Sequence, residues 1–275
     1  MASESQELTY PHEYAALLND SHDAGPVIVG GQAVNLWALT YLPQADHATF
    51  GSIDLDILAT PKVVNWMANV PGWTFQRDDD ENAVRKARIT TKTNTGKRLQ
   101  IEALNFVLGL NEDDLKAVVE LSYQGKRFKL LDPIALLKAK CVNMDKLRQG
   151  GLERHDEMHV KILGQCVPAY LRALVAEASA GHVDASDVTR ALDRLFDVVQ
   201  TPALAGILWS VGLTADSLVP DECQTSPIKK ISAACEARMP TCRKTIKMEN
   251  YNPKHKTVQI VRLPSGRKPR TPRHY

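Results

Sequence analysis

Long hydrophobic runs and export signals are absent from this sequence of 275 residues. No window approaches the run of about 18 apolar residues that a membrane-spanning helix needs. The first residues, MASESQELTYPHEY, have neither the basic start nor the apolar stretch of a signal peptide. We therefore expect a cytoplasmic protein that does not associate with a membrane.

Cysteine is also scarce, and its spacing is irregular. There are five cysteines, an odd number, and no CxxC pair among them: Cys141, Cys166, Cys223, Cys235 and Cys242. This pattern predicts reduced thiols and argues against a disulfide framework. A zinc site that combined Cys235 and Cys242 with His255 would require a coincidence of folding, because no ligand spacing in the sequence indicates one.

Two familiar motifs are present only in incomplete form. HDEMH, residues 155–159, is similar to the HExxH of zinc proteases, but Asp156 replaces the glutamate that acts as general base, and no third ligand is evident. The glycine turn GGQAVN, residues 30–35, departs from the GxGxxG turn of dinucleotide-binding domains. Both departures disfavour these two classes.

What is present is an ordinary globular composition with an uneven distribution of charge. The chain is 44% hydrophobic and 24% charged, which suits one large domain or two small ones. Residues 228–275 contain 13 Lys and Arg against 2 acidic residues, whereas residues 1–227 carry a net charge of about −9. Such a basic tail suits a phosphate backbone or another polyanion, including the acidic body itself. The alternative is a disordered, solubilising extension.

Hydrophobic periodicity divides the chain into a strand-rich half and a helical half. Helix patterns cover residues 12–20 and 32–42 and start again at Pro61, strands cover 27–30 and 52–59, and a hairpin turns near residues 94–96. A helix enters at Asp132 and Pro133, and further helices cover 152–163, 167–178 and 184–199. We predict an α+β protein. Its mixed-sheet core covers residues 1–127, its helical region 128–219, and its basic tail, where periodicity fades, 220–275.

Two aspartates on one strand carry the main chemical signal. Asp54 and Asp56 alternate with apolar residues, so their side chains share one face of the strand. Two like charges beside a core repel each other, and cations between them would relieve this repulsion. Glu102 lies on a later predicted strand and could complete a site of three carboxylates. Carboxylates suit Mg²⁺ shared with substrate phosphates, and two such ions support phosphoryl transfer.

The paired glycines predict a phosphate-binding turn to accompany these carboxylates. Gly30 and Gly31 end a strand and precede a helix. A turn without Cβ atoms lets backbone N–H groups approach a phosphate, and the helix dipole adds attraction. We expect the turn to hold a triphosphate, and Ser52 either to assist it or to cap the strand entrance.

Together these residues resemble the DNA polymerase beta superfamily of nucleotidyltransferases. The resemblance consists of the strand ending in Gly30 and Gly31, the helix, Ser-x-Asp-x-Asp at residues 52–56, and the later strand acid. The 22 residues between Gly31 and Asp54 make the chain similar to the abortive-infection type toxin nucleotidyltransferases and to the antibiotic nucleotidyltransferases. The likeness extends over residues 25–165.

A second part of the resemblance lies in LDPIALLKAKCVNM and RHDEMHVKIL. It implies that Lys140 and Lys138 contact the triphosphate and that Asp156 lies near the active site. His159 stands where relatives often have another aspartate. Residue by residue, simpler interpretations exist: an exposed acidic strand face, solvated helix lysines, a surface acid at Asp156, and a solvated turn at residues 78–81.

The resemblance implies a magnesium-dependent nucleotidyltransferase that moves a nucleoside monophosphate from an NTP to an acceptor. RNA such as tRNA, bound through the basic tail, is one acceptor, and a protein side chain or a small drug-like hydroxyl compound is another. The toxin-like families imply a role in growth control or phage defence, with an antitoxin or other regulatory partner. The competing hypothesis is a non-catalytic nucleic-acid-binding or partner-binding protein on the same scaffold.

Overall fold

A mixed sheet followed by packed helices forms the body of the protein. The computed structural model describes residues 7–21, 23–43, 51–80, 82–147 and 155–246. The strands are β1 Val27–Val29, β2 Leu55–Leu58, β3 Thr74–Arg77, β4 Arg85–Lys92, β5 Arg98–Leu104, β6 Val118–Tyr123 and β7 Lys126–Leu131. The helices are α1 Pro11–Asp20, α2 Gly30–Tyr41, α3 Pro61–Ala68, α4 Glu112–Lys116, α5 Pro133–Leu147, α6 Asp156–Ser179, α7 Ala185–Gln200, α8 Pro202–Ser210, α9 Ala215–Leu218, α10 Asp221–Gln224 and α11 Lys229–Ile246. The predicted α+β class is confirmed.

The sheet has the order β3-β4-β5-β2-β1-β7-β6. Strand β2 runs parallel to β5 and β1 runs parallel to β7, whereas the other neighbours are antiparallel. Strands β4 and β5 alternate between buried apolar and partly exposed polar residues. Helix α3 packs against β3 and β4, while α5 and α6 pack on each other and on α2. One sheet thus carries both the central strands and the polar extension formed by β3, β4 and β5.

Some boundaries differ from the sequence-based prediction. Strand β6 was missed; it pairs with β7 through a turn at Gln124 and Gly125, both with positive φ. Strand β7 spans the boundary placed at residues 127 and 128, because the sheet continues to Leu131. At the next junction the prediction holds, since the Asp132 carboxylate accepts a hydrogen bond from the backbone N–H of Ala135, inside α5.

Helix α6 is a single helix of 24 residues where the sequence predicted two. Pro168 lies inside it, and a proline normally interrupts a helix because it lacks an N–H donor. Here buried residues continue on both sides of the proline, from Val160 to Val175, and the helix packs on α2, α5 and α7. Tertiary packing of this kind outweighs local propensity. Residues 152–154 of the predicted helix lie outside the described residues.

Part of the predicted basic tail is a packed helix. Helix α11 buries one apolar stripe against α7 and α8: Ile231, Cys235, Met239, Cys242 and Ile246. Two of its five cations also have carboxylate partners, since Arg238 lies 2.7 Å from Asp197 and Arg243 lies 2.6 Å from Asp216. In this helix the acidic body is therefore the partner of the tail. Residues 247–275, the remainder of the predicted basic tail, lie outside the described residues.

The thiols are structural. All five cysteines are free and buried, in agreement with the prediction of reduced thiols. Burial raises the pKa of Cys166 to about 12 and that of Cys235 to about 11, so both remain neutral at physiological pH. None of the helices in the described segments combines the length and the apolar character required to cross a membrane.

The packing of α11 can be tested by truncating one core side chain. Met239 is 2% exposed, so Met239→Ala should lower the free energy of unfolding by about 2 to 5 kcal/mol because it leaves a cavity. Thermal unfolding should then shift down by about 2 to 4 °C per kcal/mol. Lys244→Ala, on the exposed side of the same helix, is the control and should change stability by less than about 0.5 kcal/mol. Equal melting temperatures for the two variants would contradict the packed position of α11.

Candidate metal centre and phosphate site

Three carboxylates converge where β2 lies between β1 and β5. The ligand oxygens of Asp54, Asp56 and Glu102 all lie within 4.8 Å of one another, and the three residues are half-buried. Asp56 is paired with Glu102 of β5 on one side and with Val29 of β1 on the other. Asp54 immediately precedes β2, which begins at Leu55. The structure thus brings together the three acids that the sequence placed on two separate strands.

The electrostatics of this cluster favour a bound cation. Burial raises the pKa of the Asp54 carboxyl group, and the negative charge of Glu102 raises it further. The charge of Lys140 and a hydrogen bond from Ser52 act in the opposite direction. Three poorly solvated carboxylates at this spacing repel one another, and a divalent cation would relieve that repulsion. An all-oxygen, all-carboxylate donor set fits a hard ion such as Mg²⁺ better than a soft one.

Glu102 is held in place by two hydrogen-bond donors. The Nη1 atom of Arg85 and the Nε2 atom of Gln100 each donate to its Oε1 atom at 3.0 Å. Arg85 is fixed from the other side by Asp78, whose Oδ2 lies 2.7 Å from Nε of the arginine. The hydrogen bond from Arg85 also lowers the pKa of Asp78. The sequence predicts a solvated turn at residues 78–81, yet Asp78 orients the arginine that orients Glu102.

A β-bulge explains why the sequence did not indicate Arg85. Strict alternation along β4 would place Arg85 and Arg88, three residues apart, on opposite faces of the sheet. The register shifts between Arg85 and Ala87, so that one extra residue is inserted. Bulges re-aim side chains in this way, often near active sites. Arg85 and Arg88 therefore both face Glu102, with Nη1 of Arg88 at 3.9 Å from Oε1.

The glycine turn lies directly against the carboxylates. Gly30 has a φ of +66°, and a Cβ atom at this position would overlap Oδ2 of Asp56. A Cβ atom at Gly31 would lie 2.9 Å from Oγ of Ser52 and 3.4 Å from Cε1 of His159. Helix α2 begins at Gly30, so its first N–H groups are at the cluster. This arrangement combines close backbone access with a helix N-terminus, which suits an anionic group.

Ser52 is positioned by a network that the sequence did not reveal. Thr9 and Ser52 exchange backbone hydrogen bonds of 2.6 and 2.9 Å in an isolated bridge. Thr9 is itself fixed, because its Oγ1 accepts from the Tyr14 hydroxyl at 3.0 Å and its carbonyl accepts from the Gln32 amide at 2.8 Å. Thr9 and Gln32 are fully buried. The segment before α1 thereby holds Ser52 beside Gly31 and Asp54.

The two lysines predicted from the resemblance have different surroundings. The Nζ atom of Lys140 lies 3.0 Å from Oδ1 of Asp156, both side chains are buried, and the lysine charge acts on Asp54. Lys140 and Asp156 therefore belong to the neighbourhood of the cluster. The ammonium group of Lys138 instead lies 2.6 Å from Asp114 of α4. Residues two apart on a helix point about 200° apart, which explains why Lys138 faces away.

The two histidines of HDEMH do not form a metal site. His155 is exposed and precedes α6, whereas His159 is buried against Gly31. Within the described ranges, the carboxylate cluster is the only group of three or more potential metal ligands. This arrangement gives no support to the zinc-protease interpretation, and His159 lies against the glycine turn instead.

The overlap at Gly30 can be tested with a matched pair of variants. Gly30→Ala should displace the Asp56 carboxylate and weaken Mn²⁺ binding, measured by electron paramagnetic resonance, by about 10- to 100-fold. Gly72→Ala introduces the same side chain at a φ of +76°, where nothing lies within 4 Å of the added atom. The control therefore has similar backbone strain and should bind Mn²⁺ as the wild type does. Wild-type affinity in Gly30→Ala would refute the contact.

The raised pKa of Asp54 predicts a pH-dependent effect on stability. The pKa of Asp54 is higher in the folded protein than its usual value of about 3.9. Stability therefore falls as the pH rises from this usual value through the raised pKa, because Asp54 ionises less readily in the folded protein than in the unfolded chain. Without metal, Asp54→Asn should melt a few degrees higher than the wild type at pH 8, and the difference should shrink toward pH 4.

Mg²⁺ should raise the melting temperature of the wild type more than that of Asp54→Asn. Asp113→Asn, at a carboxylate with 82% side-chain exposure, is the control; a wild type more stable than Asp54→Asn at pH 8 would contradict the repulsion.

Comparison with known proteins gives a weak structural likeness. No family model and no curated protein matches the chain. Among solved structures, the chain is similar to the crystal structure of an antigenic nucleotidyltransferase-like protein from Paracoccidioides brasiliensis, with 15% identity and a TM-score of 0.40. The match covers 71% of this chain and 90% of that one.

Proposed function

We propose that the protein is a metal-dependent nucleotidyltransferase that moves a nucleoside monophosphate from an NTP to an acceptor hydroxyl. The observation that carries this proposal is the convergence of Asp54, Asp56 and Glu102 within 4.8 Å, beside the glycine turn at the start of α2. Carboxylates alone would suit many metal sites. Carboxylates next to a helix that begins with two glycines suit a metal ion shared with phosphates, because the backbone N–H groups of the glycines are accessible to phosphate oxygens.

The residues divide into a metal-binding set and a phosphate-binding set. Asp54, Asp56 and Glu102 would hold Mg²⁺, which when bound supplies neutralisation of the charge on the α-phosphate and on the leaving group. The N–H groups at Gly30 and Gly31 and the hydroxyl of Ser52 would donate to phosphate oxygens. Lys140 would contribute a positive charge from α5, in an orientation fixed by Asp156.

The proposed reaction exchanges one phosphate ester for another. The acceptor oxygen forms a bond to the α-phosphorus, and the bond from this phosphorus to the oxygen bridging to the β-phosphate breaks. The bonding electrons leave with pyrophosphate, and the proton of the acceptor hydroxyl passes to the Glu102 carboxylate. Among the described residues, the hydrogen bonds to Glu102 all go to Oε1, so Oε2 remains available for this role.

Transfer of labelled nucleotide tests the proposal directly. The protein is incubated with Mg²⁺ and each α-labelled NTP in turn, together with total RNA and cell extract. We expect label on a macromolecule with the wild type and a loss of at least about 1,000-fold with Asp54→Asn or Asp56→Asn, since these groups act on charge that develops in the transition state. Asp113→Asn should retain full activity, because that carboxylate is exposed on α4.

The pattern of failure in this experiment separates the alternatives. NTP binding without labelled macromolecule would point to a small hydroxyl compound as acceptor, as in antibiotic nucleotidyltransferases. Neither NTP binding nor Mn²⁺ binding by the wild type would refute the enzyme and favour the non-catalytic binding protein. Label on RNA such as tRNA, or on protein, would identify the acceptor class.

The toxin and phage-defence role, with its antitoxin or regulatory partner, rests on the sequence resemblance alone. The Asp54→Asn variant extends the same test to this role. If transfer is toxic, induced expression of the wild type should arrest bacterial growth, whereas Asp54→Asn should not. Arrest by both proteins would separate toxicity from catalysis.

A further inference from the structure

The sheet extends beyond the carboxylates into an open polar surface. Several polar residues of β3, β4 and β5 share a face with Glu102, and we call six of them the β3–β5 polar face: Gln76, Arg88, Thr90, Lys92, Arg98 and Gln100. The strand register places them on one face, since Gln76 pairs with Arg88, Arg88 with Glu102, Thr90 with Gln100 and Lys92 with Arg98. Gln76, Lys92 and Arg98 are exposed, and the other three are half-buried.

This face carries positive charge, and the acidic residue next to it, Glu102, belongs to the carboxylate cluster. Three of its six members are cations, and two of them, Lys92 and Arg98, lie directly opposite each other on neighbouring strands. Like charges in directly paired positions destabilise a sheet. In the part of the chain that the structure describes, neither Lys92 nor Arg98 forms an ion pair; Arg98 instead donates to the Gln100 amide oxygen at 2.9 Å. A polyanion bound across the two strands would offset this repulsion.

The basic helix of the tail provides a contrast. In α11, Arg238 and Arg243 already have carboxylate partners, Asp197 and Asp216. These two charges are paired within the molecule, whereas the lysines of the same helix, Lys229, Lys230 and Lys244, are exposed. The cations at the far end of the β3–β5 polar face are therefore better placed than these arginines to meet an external polyanion.

The position of the face suits the acceptor rather than the nucleotide. The glycine turn follows β1, on one side of β2, whereas β5, β4 and β3 extend on the other side. A triphosphate at Gly30 and Gly31 thus leaves the β5 side of the carboxylates for the acceptor. Arg98 is four residues from Glu102, or about 13 Å along the strand, which corresponds to a few nucleotides of a chain.

The chemistry of the face indicates which part of a nucleic acid it would contact. None of its six residues is aromatic, so it offers no platform for base stacking. Arginine, lysine, threonine and glutamine side chains are the common donors to phosphate and sugar oxygens. Contacts of this kind are independent of sequence and sensitive to salt.

We propose that the β3–β5 polar face binds the phosphate backbone of a nucleic-acid acceptor, and that the terminal hydroxyl of this strand enters the carboxylate cluster. Binding of the backbone follows from the charge of the face. Entry of the terminal hydroxyl into the cluster rests on the proposed function. It assigns the nucleic-acid contact to the sheet, whereas the sequence suggested the basic tail.

Two double variants of the full-length protein with equal loss of charge separate these locations. Lys92→Gln/Arg98→Gln removes two cations from the face, and Lys229→Gln/Lys230→Gln removes two exposed cations from α11. The probes are a 20-nucleotide single-stranded RNA with a 5′ fluorescent label and a DNA of the same sequence, and affinity is measured by anisotropy over a range of salt concentrations. In the sheet variant the negative slope of log K against log[salt] should become less steep by about 1.4, because each phosphate contact contributes about 0.7 for a single strand. The α11 variant should keep the wild-type slope, and Mn²⁺ binding should be unchanged in both.

Each other outcome has a definite meaning. A wild-type slope in the sheet variant, or a reduced slope only in the α11 variant, would overturn the proposal and return the contact to the tail. Absence of RNA and DNA binding by the wild type would also overturn it, and labelled NTP would then identify a protein or small-molecule acceptor. Binding through the face without transfer of label to RNA or DNA would retain the surface and reject its link to the carboxylates. A preference for one probe would show which nucleic acid is the acceptor.

Discussion

The repulsion among three carboxylates is the constraint to which the rest of the site responds. The register of strand β2 causes this repulsion, because it places Asp56 between Val29 and Glu102 and leaves Asp54 immediately before the strand. The surrounding residues moderate the repulsion without removing it. Arg85 and Gln100 hold Glu102, Ser52 and Lys140 act on Asp54, and the pKa of Asp54 remains raised. A fold that maintains such a cluster keeps a strong local field for cations.

The acidic core of the site could be predicted because its signals are local. Alternation along a strand placed Asp54 and Asp56 on one face, and the Gly-Gly turn followed an evident strand. Helix α5 was also predictable, because Asp132 and Pro133 mark its start. In each case a few neighbouring residues contain the information, as in strand periodicity and helix capping.

The supporting residues could not be predicted, because they depend on partners distant in sequence. Thr9 meets Ser52 across 43 positions, and a bulge in β4 turns Arg85 toward Glu102. Alternation alone would have placed Arg85 on the wrong face. Helix α11 was missed for a related reason, since its narrow apolar stripe is diluted by lysine and arginine and becomes recognisable only against α7. The break predicted between residues 163 and 167 was wrong for the opposite reason, because packing on both sides of Pro168 keeps α6 continuous.

The contact between Gly30 and Asp56 links two positions that are 26 residues apart. The space that a side chain at residue 30 would need is the space in which the Asp56 carboxylate lies. A side chain at residue 30 and the carboxylate of Asp56 therefore cannot occupy this space together. A substitution at residue 30 would displace the carboxylate even though residue 56 is still an aspartate. During divergence, a relative that acquired any larger residue at position 30 would be released from the need for an acid at position 56. Glycine at residue 30 is thus as informative about the candidate metal site as the carboxylates themselves.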